Sequence, residues 1–309
     1  MLVGAFAGCG ARKDSHDVAA ATRMTGLPSF GLVAQTSRGS VVRSLSGHVY
    51  ARLPRKAVLD MGPADFTGVL TPPGIQKLWI EGGALKIEPA HHAWLSGGAE
   101  IVGTNPGSWR IERDGKVLWQ PKARSFFMRS VHHDIVSTQG LAYDVRTGTT
   151  RRLPASCRVT DRQGADWYLV CYERDAIRLL TADGRMKLIA RAPRLSLRQL
   201  GDRGSWNWAE LSPDGSTLLA QGSLECETPE AYFIPARGGS PTLATGDRKL
   251  AQAPESLARG WLPDGRALVH LPKGACGNGS SPPGLYSVVP GGHPRLVQRG
   301  EVDFWRSSD

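Results

Sequence analysis

Leu211-Ser-Pro-Asp-Gly-Ser-Thr-Leu-Leu-Ala220 returns fifty positions later as Trp261-Leu-Pro-Asp-Gly-Arg-Ala-Leu-Val-His270. Pro213/Pro263, Asp214/Asp264, Gly215/Gly265 and Leu218/Leu268 stand in register. Proline presets φ, aspartate caps its own turn and glycine supplies positive φ, so Pro-Asp-Gly predicts a tight turn between two extended runs. The match continues outward: Cys226 and Cys276 also differ by fifty, and Gly238-Gly-Ser-Pro241 answers Gly291-Gly-His-Pro294 after a three-residue insertion. A third, worn copy is Trp94-Leu-Ser-Gly-Gly-Ala-Glu-Ile-Val102, with Gly98 in the place of Gly265. Alternating runs such as Ser216-Thr-Leu-Leu-Ala220 and Ala231-Tyr-Phe-Ile234 flank these turns, so each unit reads as a small antiparallel meander. It closes on a Gly-Gly or Thr-Gly turn, as at Thr147-Gly148. A meander of this size cannot bury both faces alone, so the copies must pack on one another.

The composition agrees with an all-β chain. Its 309 residues hold 37 Gly and 21 Pro, too many breakers for long helices, while 40% apolar residues suffice for a core. No run of about 18 apolar residues is present to span a bilayer. The length fits one large all-β unit or two ordinary domains. The net charge of +10 comes from arginines scattered in pairs such as Arg151-Arg152, with only nine lysines. No helix-turn-helix, zinc-finger or RNA-binding signature accompanies it, so nucleic acid is not an expected partner; an anionic membrane or polymer would suit the charge.

The run Trp-x-Trp-x-x-Leu-Ser-Pro-Asp-Gly from Trp206 to Gly215, followed by an aromatic strand and Gly-Gly-x-Pro, resembles the WD40-like (PD40) β-propeller repeat. That repeat occurs in TolB-like proteins and in the propeller domains of prolyl-oligopeptidase-type peptidases. Further blade-like segments fall at 30–55, 57–90, 123–154 and 155–193. The resemblance implies a six- or seven-bladed β-propeller of four-stranded antiparallel blades over residues 29–309, after a tether over residues 1–28. After the last clear unit only Glu301 to Asp309 remain.

Met1-Leu-Val-Gly-Ala-Phe-Ala-Gly-Cys9 resembles the end of a bacterial lipoprotein signal peptide. The resemblance implies that Cys9 carries acyl chains and holds the protein on a cell membrane; the alternative is an ordinary thiol in a frayed terminus. Residues 10–26 are small and polar, as a tether would be. The other four cysteines form an even set. Cys157 and Cys171 lie symmetrically about Gly164 on two β-like runs, which places them opposite each other on a hairpin and within disulfide range. Two buried free thiols are the alternative. The propeller resemblance puts Cys226 and Cys276 between the second and third strands of successive blades, where a disulfide bond could staple neighbours. These two pairings are one of three possible connectivities.

Catalytic motifs are missing from the sequence. There is no Gly-x-Ser-x-Gly elbow, Gly-x-Gly-x-x-Gly turn, phosphate loop or His-Glu-x-x-His helix, and no cofactor is expected. His91 and His92 precede Trp94, where a blade enters its innermost strand near the axial channel, and His132-His133-Asp134 are expected in a turn. Neighbouring strand residues point to opposite faces, so surface or turn roles outweigh metal binding. Asp202, Trp206, Asn207 and Trp208 begin another inner strand; the aromatics there serve blade packing or line a ligand funnel. The expected function is a non-enzymatic, monomeric binding or scaffold module of the cell envelope, taking an envelope protein, peptide or glycan. It would be exported and membrane-anchored, at the outer side of the cytoplasmic membrane or in the periplasm. The alternative is a lactonase- or lyase-like propeller enzyme working in the axial channel.

Overall fold

The computed structural model describes twenty-eight strands between Phe30 and Arg306. It also describes the connections within residues 110–121, 140–172, 175–192, 204–224, 228–246, 256–272 and 282–300. Among the described residues the strands make seven four-stranded antiparallel sheets, and no helix is long and apolar enough to cross a membrane.

Six sheets are contiguous meanders. The second is β4 (Val58–Met61), β5 (Thr67–Thr71), β6 (Gly74–Glu81) and β7 (Ala84–Pro89). The third is β8 (Ala93–Trp94), β9 (Ala99–Val102), β10 (Arg110–Arg113) and β11 (Lys116–Trp119). The fourth is β12 (Ser130–His132), β13 (Ile135–Thr138), β14 (Leu141–Asp144) and β15 (Thr149–Arg152). The fifth is β16 (Cys157–Gln163), β17 (Asp166–Cys171), β18 (Ala176–Leu180) and β19 (Met186–Arg191). The sixth is β20 (Ser205–Leu211), β21 (Thr217–Leu224), β22 (Thr228–Pro235) and β23 (Thr242–Leu243). The seventh is β24 (Leu257–Trp261), β25 (Ala267–Leu271), β26 (Gly284–Val288) and β27 (Arg295–Arg299). The expected segments 30–55, 57–90, 123–154 and 155–193 each hold one sheet's consecutive strands.

The first sheet departs from the contiguous pattern. It takes β1 (Phe30–Thr36), β2 (Gly39–Arg43) and β3 (Val49–Pro54) from the start of the described chain, and β28 (Val302–Arg306) from its end, in the order β28-β1-β2-β3. Strand β28 runs antiparallel to β1, with Leu32 opposite Phe304 and Ala34 opposite Val302. The residues after the last repeat are therefore the leading strand of the first sheet. First strands of successive sheets lie side by side, β12 on β16, β16 on β20 and β20 on β24, and then β24 on β28 and β28 on β4.

The two clear Pro-Asp-Gly copies join first to second strands, as their chemistry requires. Gly215 and Gly265 take φ of 72° and 80°, a region open to glycine. Asp214 accepts from the Ser216 amide at 3.0 Å and the Ser212 hydroxyl at 2.6 Å. Asp264 accepts from the Arg266 amide at 3.2 Å. The Asp183-Gly184 turn between β18 and β19 repeats the device. Hydrogen bonds from Ser212, Ser216 and Thr181, and the Arg266 side chain at Asp264, hold all three carboxyls below their ordinary pKa of 3.8.

Period-two alternation sends each sheet's side chains into two different cores. In β22, Tyr232 and Ile234 pack toward the fifth sheet with Trp206, Tyr168 and Ile177, while Ala231 and Phe233 pack toward the seventh with Trp261 and Val269. In β17, Trp167 and Leu169 face the fourth sheet and Tyr168 and Val170 the sixth. On the far side of the seventh sheet, Leu262, Leu268 and Leu285 meet Ala34 of the first.

Cys157 and Cys171 are bonded, with Cα atoms 4.0 Å apart. The pairing needs one correction to the simple symmetry. The hairpin turn is the pair Gly164-Ala165, because Gln163 faces Asp166, and Gly164 carries the positive φ of 60° that a glycine-first two-residue turn demands. That register alone would set Cys157 opposite Tyr172. A bulge at Thr160, between Val159 and Asp161, absorbs one residue and brings Cys157 opposite Cys171. Cys9, Cys226 and Cys276 lie outside the described residues. His132 closes β12 opposite Ile135; His133 and Asp134 lie outside the described residues.

The disulfide closes a separation of 14 residues, so replacing both cysteines by serine is expected to cost about 3 kcal/mol in urea unfolding, an effect that reductant reproduces. A second expectation concerns acid. Carboxyls with lowered folded pKa stabilise above pH 3.8, and that stability disappears as pH falls through their folded values. Melting temperature should drop below about pH 4. A D214A/D264A double variant, less stable at neutral pH, should show a shallower acid fall.

Candidate functional site

The innermost strands of the fifth, sixth and seventh sheets share an irregularity at their third or fourth residue. Each carries one extra residue relative to its partner: Thr160 in β16, Asn207 in β20 and Arg259 in β24. A bulge bends the strand and re-aims the side chains beyond it. Its effect is plainest at Trp206 and Trp208. Residues two apart in a regular strand share a face, yet Trp206 joins the core with the fifth sheet and Trp208 the core with the seventh. The extra residue between them produces this division.

Trp206 is fully buried and meets the Tyr232 ring edge-on, with centroids 5.4 Å apart. Gly222, opposite it, makes room: a β-carbon there would lie 3.2 Å from the Tyr232 ring and 3.4 Å from Trp206. Trp206 is thus a packing residue and not a funnel wall. Trp208 is half-buried beside Ala258. The indole nitrogens of both are buried, and neither has a hydrogen-bond partner.

Around these residues a polar row crosses three sheets. Arg158 stacks over Tyr172 at 5.1 Å and donates to the Asn207 carbonyl of the next sheet. Gln221, opposite Trp208, accepts from the Ala258 amide at 2.7 Å and donates toward the carbonyls of Glu230 and Ser256 at 3.1 and 3.2 Å. Arg259 brings a guanidinium nitrogen to 3.4 Å from His270 Nδ1. Arginine only donates, so in this contact Nδ1 is the acceptor. The Tyr232 hydroxyl donates to the buried Glu230 carboxylate. Guanidinium, indole, amide and imidazole groups in one row can hydrogen-bond and stack on a polar ligand. Among the described residues no three His, Cys, Asp or Glu side chains are grouped to hold a metal.

Of the residues singled out from the sequence, Trp206, Asn207 and Trp208 fall at this row; His91, His92 and Asp202 lie outside the described residues. Arg158, Tyr172, Gln221, Arg259 and His270 were not foreseen. One signal pointed to His270: it stands where the earlier copy has Ala220, a bulky polar group replacing a methyl at the end of the repeated motif.

The class of protein follows. Two-faced four-stranded meanders, with first strands side by side, are the blades of a β-propeller. No family profile and no curated protein matches the chain. Among solved structures a prolyl endopeptidase is similar at 12% identity and a TM-score of 0.54, over 93% of this chain and 52% of that one. This chain thus spans about half the length of that peptidase, and the likeness concerns the fold. Looser likenesses reach TolB from Acinetobacter baumannii, at 12% identity over 89% and 70% of the two chains with a TM-score of 0.38. They also reach a periplasmic gluconolactonase from Pseudomonas aeruginosa, at 16% identity over 89% and 99% with a TM-score of 0.43.

Trp206 and Trp208 should separate in mutagenesis. Trp206→Ala empties a buried site and is expected to cost about 3–5 kcal/mol in denaturant unfolding, and G222V, which crowds the same rings, about 1–3 kcal/mol. Trp208→Ala, half-exposed, should cost less than either in the same measurement.

Proposed function

We propose that the chain is a seven-bladed propeller, closed by β28, which serves as a non-enzymatic binding module of the cell envelope. Its partner, an envelope protein, peptide or glycan, docks where the innermost strands begin. The observation that carries this reading is the row from Tyr172 and Arg158 through Asn207 and Trp208 to Arg259 and His270. Such groups suit recognition of a polar or anionic partner by hydrogen bonding and stacking. Export is supported by the Cys157–Cys171 disulfide, since such bonds persist in oxidising compartments. In this reading residues 1–28 are a tether, Cys9 carries the lipid, and Cys226–Cys276 staples the sixth blade to the seventh. In chain order those two cysteines fall between the second and third strands of consecutive sheets.

Capture from envelope extract, with wild type against a W208A/R259A variant, tests the docking end. The expected outcome is one retained partner whose recovery falls at least about tenfold in the variant. Equal recovery would remove the row from the function. A stoichiometric, tightly held divalent ion together with lactone turnover would favour the enzyme alternative. Mass spectrometry of the mature N-terminus is expected to find acylated Cys9, and non-reducing peptide mapping both disulfides.

A further inference from the structure

The net charge is sorted by radius. The hairpins formed by the third and fourth strands of each sheet, counting β2 and β3 for the first, carry +2, 0, +1, +2, +3, 0 and +2 in chain order. They account for the whole formal charge of +10, so the rest of the chain sums to zero. The excess of positive over negative charge thus falls in the outer hairpins of the sheets.

Exposed apolar side chains follow the same rule and are more narrowly placed. Among the described residues the large exposed hydrophobics are Val49 (40%), Val117 (52%), Leu188 (40%), Val289 (46%) and Leu296 (40%). Four lie within the first three residues of an outermost strand, β3, β11, β19 and β27, and Val289 lies in the turn that leads into β27. Val49, Val117 and Val289 are thus at the end where the third strand turns into the fourth, and Leu296 and Leu188, the second and third residues of their strands, lie a little further in, opposite Tyr286 and Arg178. Three of them directly follow an exposed cation: Lys116-Val117, Lys187-Leu188 and Arg295-Leu296. Acids occur in turns at that end too: Asp183 and Asp264 are paired with Arg185 at 3.1 Å and Arg266 at 2.7 Å, and Asp114 and Asp214 are exposed there, so the charge at that end is mixed with a cationic excess.

We propose that this end of the propeller is a membrane-docking rim: Val117, Leu188 and Leu296 enter the interface of an anionic phospholipid bilayer while Lys116, Lys187 and Arg295 meet its headgroup phosphates. The proposal rests on the propeller ring described above. Three features favour a bilayer over other occupants. An exposed cation and an exposed aliphatic next to each other along an outermost strand, one on each of its faces, are a combination that an anionic interface rewards, charge against phosphate and apolar area against acyl chain. A soluble polyanion would use the charges and leave the valine and leucines in water. Val117, Leu188 and Leu296 stand on three separate sheets, the third, fifth and seventh, and a broad flat surface can meet separated points together where a single protein patch cannot. The rim lies at the opposite end of the strands from the row at Asn207 and Arg259, so membrane contact leaves that row facing away from the lipid.

Vesicle flotation of the full chain carrying Cys9→Ser, which removes any acyl anchor, tests the rim. Vesicles of phosphatidylcholine with about one-third phosphatidylglycerol should retain the protein at low salt, and pure phosphatidylcholine should not. A V117S/L188S/L296S variant and a K116E/K187E/R295E variant should each lower retention at least about tenfold, with circular dichroism and melting temperature as in the parent. No retention on the anionic vesicles overturns the proposal. So does retention that the serine variant leaves unchanged, which would mark simple polyanion binding. Negative-stain images test the ring separately: a ring without vesicle binding sinks the rim alone, whereas absence of a ring sinks the fold reading beneath it.

Discussion

Face-to-face packing of sheets that are apolar on both sides is the constraint from which the rest of the structure follows. Strands β17, β21, β22 and β25 are nearly continuous buried runs because each alternate side chain belongs to a different neighbour. A sheet of this kind has no stable life alone; it needs a partner on each face. An open row would leave two terminal faces bare. The Leu262, Leu268 and Leu285 face of the seventh sheet meets Ala34 of the first, and β28 ties the two chain ends together by backbone pairing. That contact gives the far face of the seventh sheet an occupant in the first.

Apolar packing sets distance but tolerates sliding, and the register between blades comes from polar ties. The Thr160 hydroxyl donates to the Ala209 carbonyl at 2.7 Å and accepts from the Ala209 amide at 2.9 Å. Asp161 accepts from the Leu211 amide, and the Trp261 indole donates to the Glu210 carbonyl at 2.9 Å. Each tie satisfies a buried group that would otherwise cost about 1–3 kcal/mol, so a slip of one residue is penalised at several points together. Thr160 is also the bulge residue that brings the two cysteines opposite each other. One irregularity therefore sets the disulfide register within a blade and the hydrogen-bond register between blades.

The repeat was legible because it is written in turn chemistry, which is local. Pro-Asp-Gly at 213–215 and 263–265, Gly238-Gly239 and Gly291-Gly292 mark strand ends by backbone geometry alone, and the blade segments between them follow from alternation. What stayed hidden depends on contacts distant in sequence. Residues 302–306 resemble any short tail until β1 supplies the partner that makes them a strand. The bulges at Asn207 and Arg259 have no signature, since any residue can be the extra one. Hence the sequence does not reveal that Trp206 and Trp208, two residues apart, serve two cores. Arg158, Tyr172 and Gln221 became site residues only when three separate meanders were brought side by side.

The same packing explains why charge that looked scattered along the chain is ordered in space. First strands lie against one another and second strands are covered on both faces, leaving little water for a lysine or arginine; ionised groups there need partners, as Arg162 has Asp144 at 2.8 Å. Blades diverge outward, so the outermost strand keeps a free edge and wet faces. Exposed charges are driven to that edge by desolvation, and lysine or arginine on an open edge also blocks pairing with another chain. Desolvation and edge protection act on every outermost strand alike and carry no preference for one end. Neither accounts for exposed valine and leucine, which gain nothing from water, recurring at the same end of β3, β11, β19 and β27. The charge belongs to the architecture, and the proposed rim gives the apolar side chains set beside it a surface to meet.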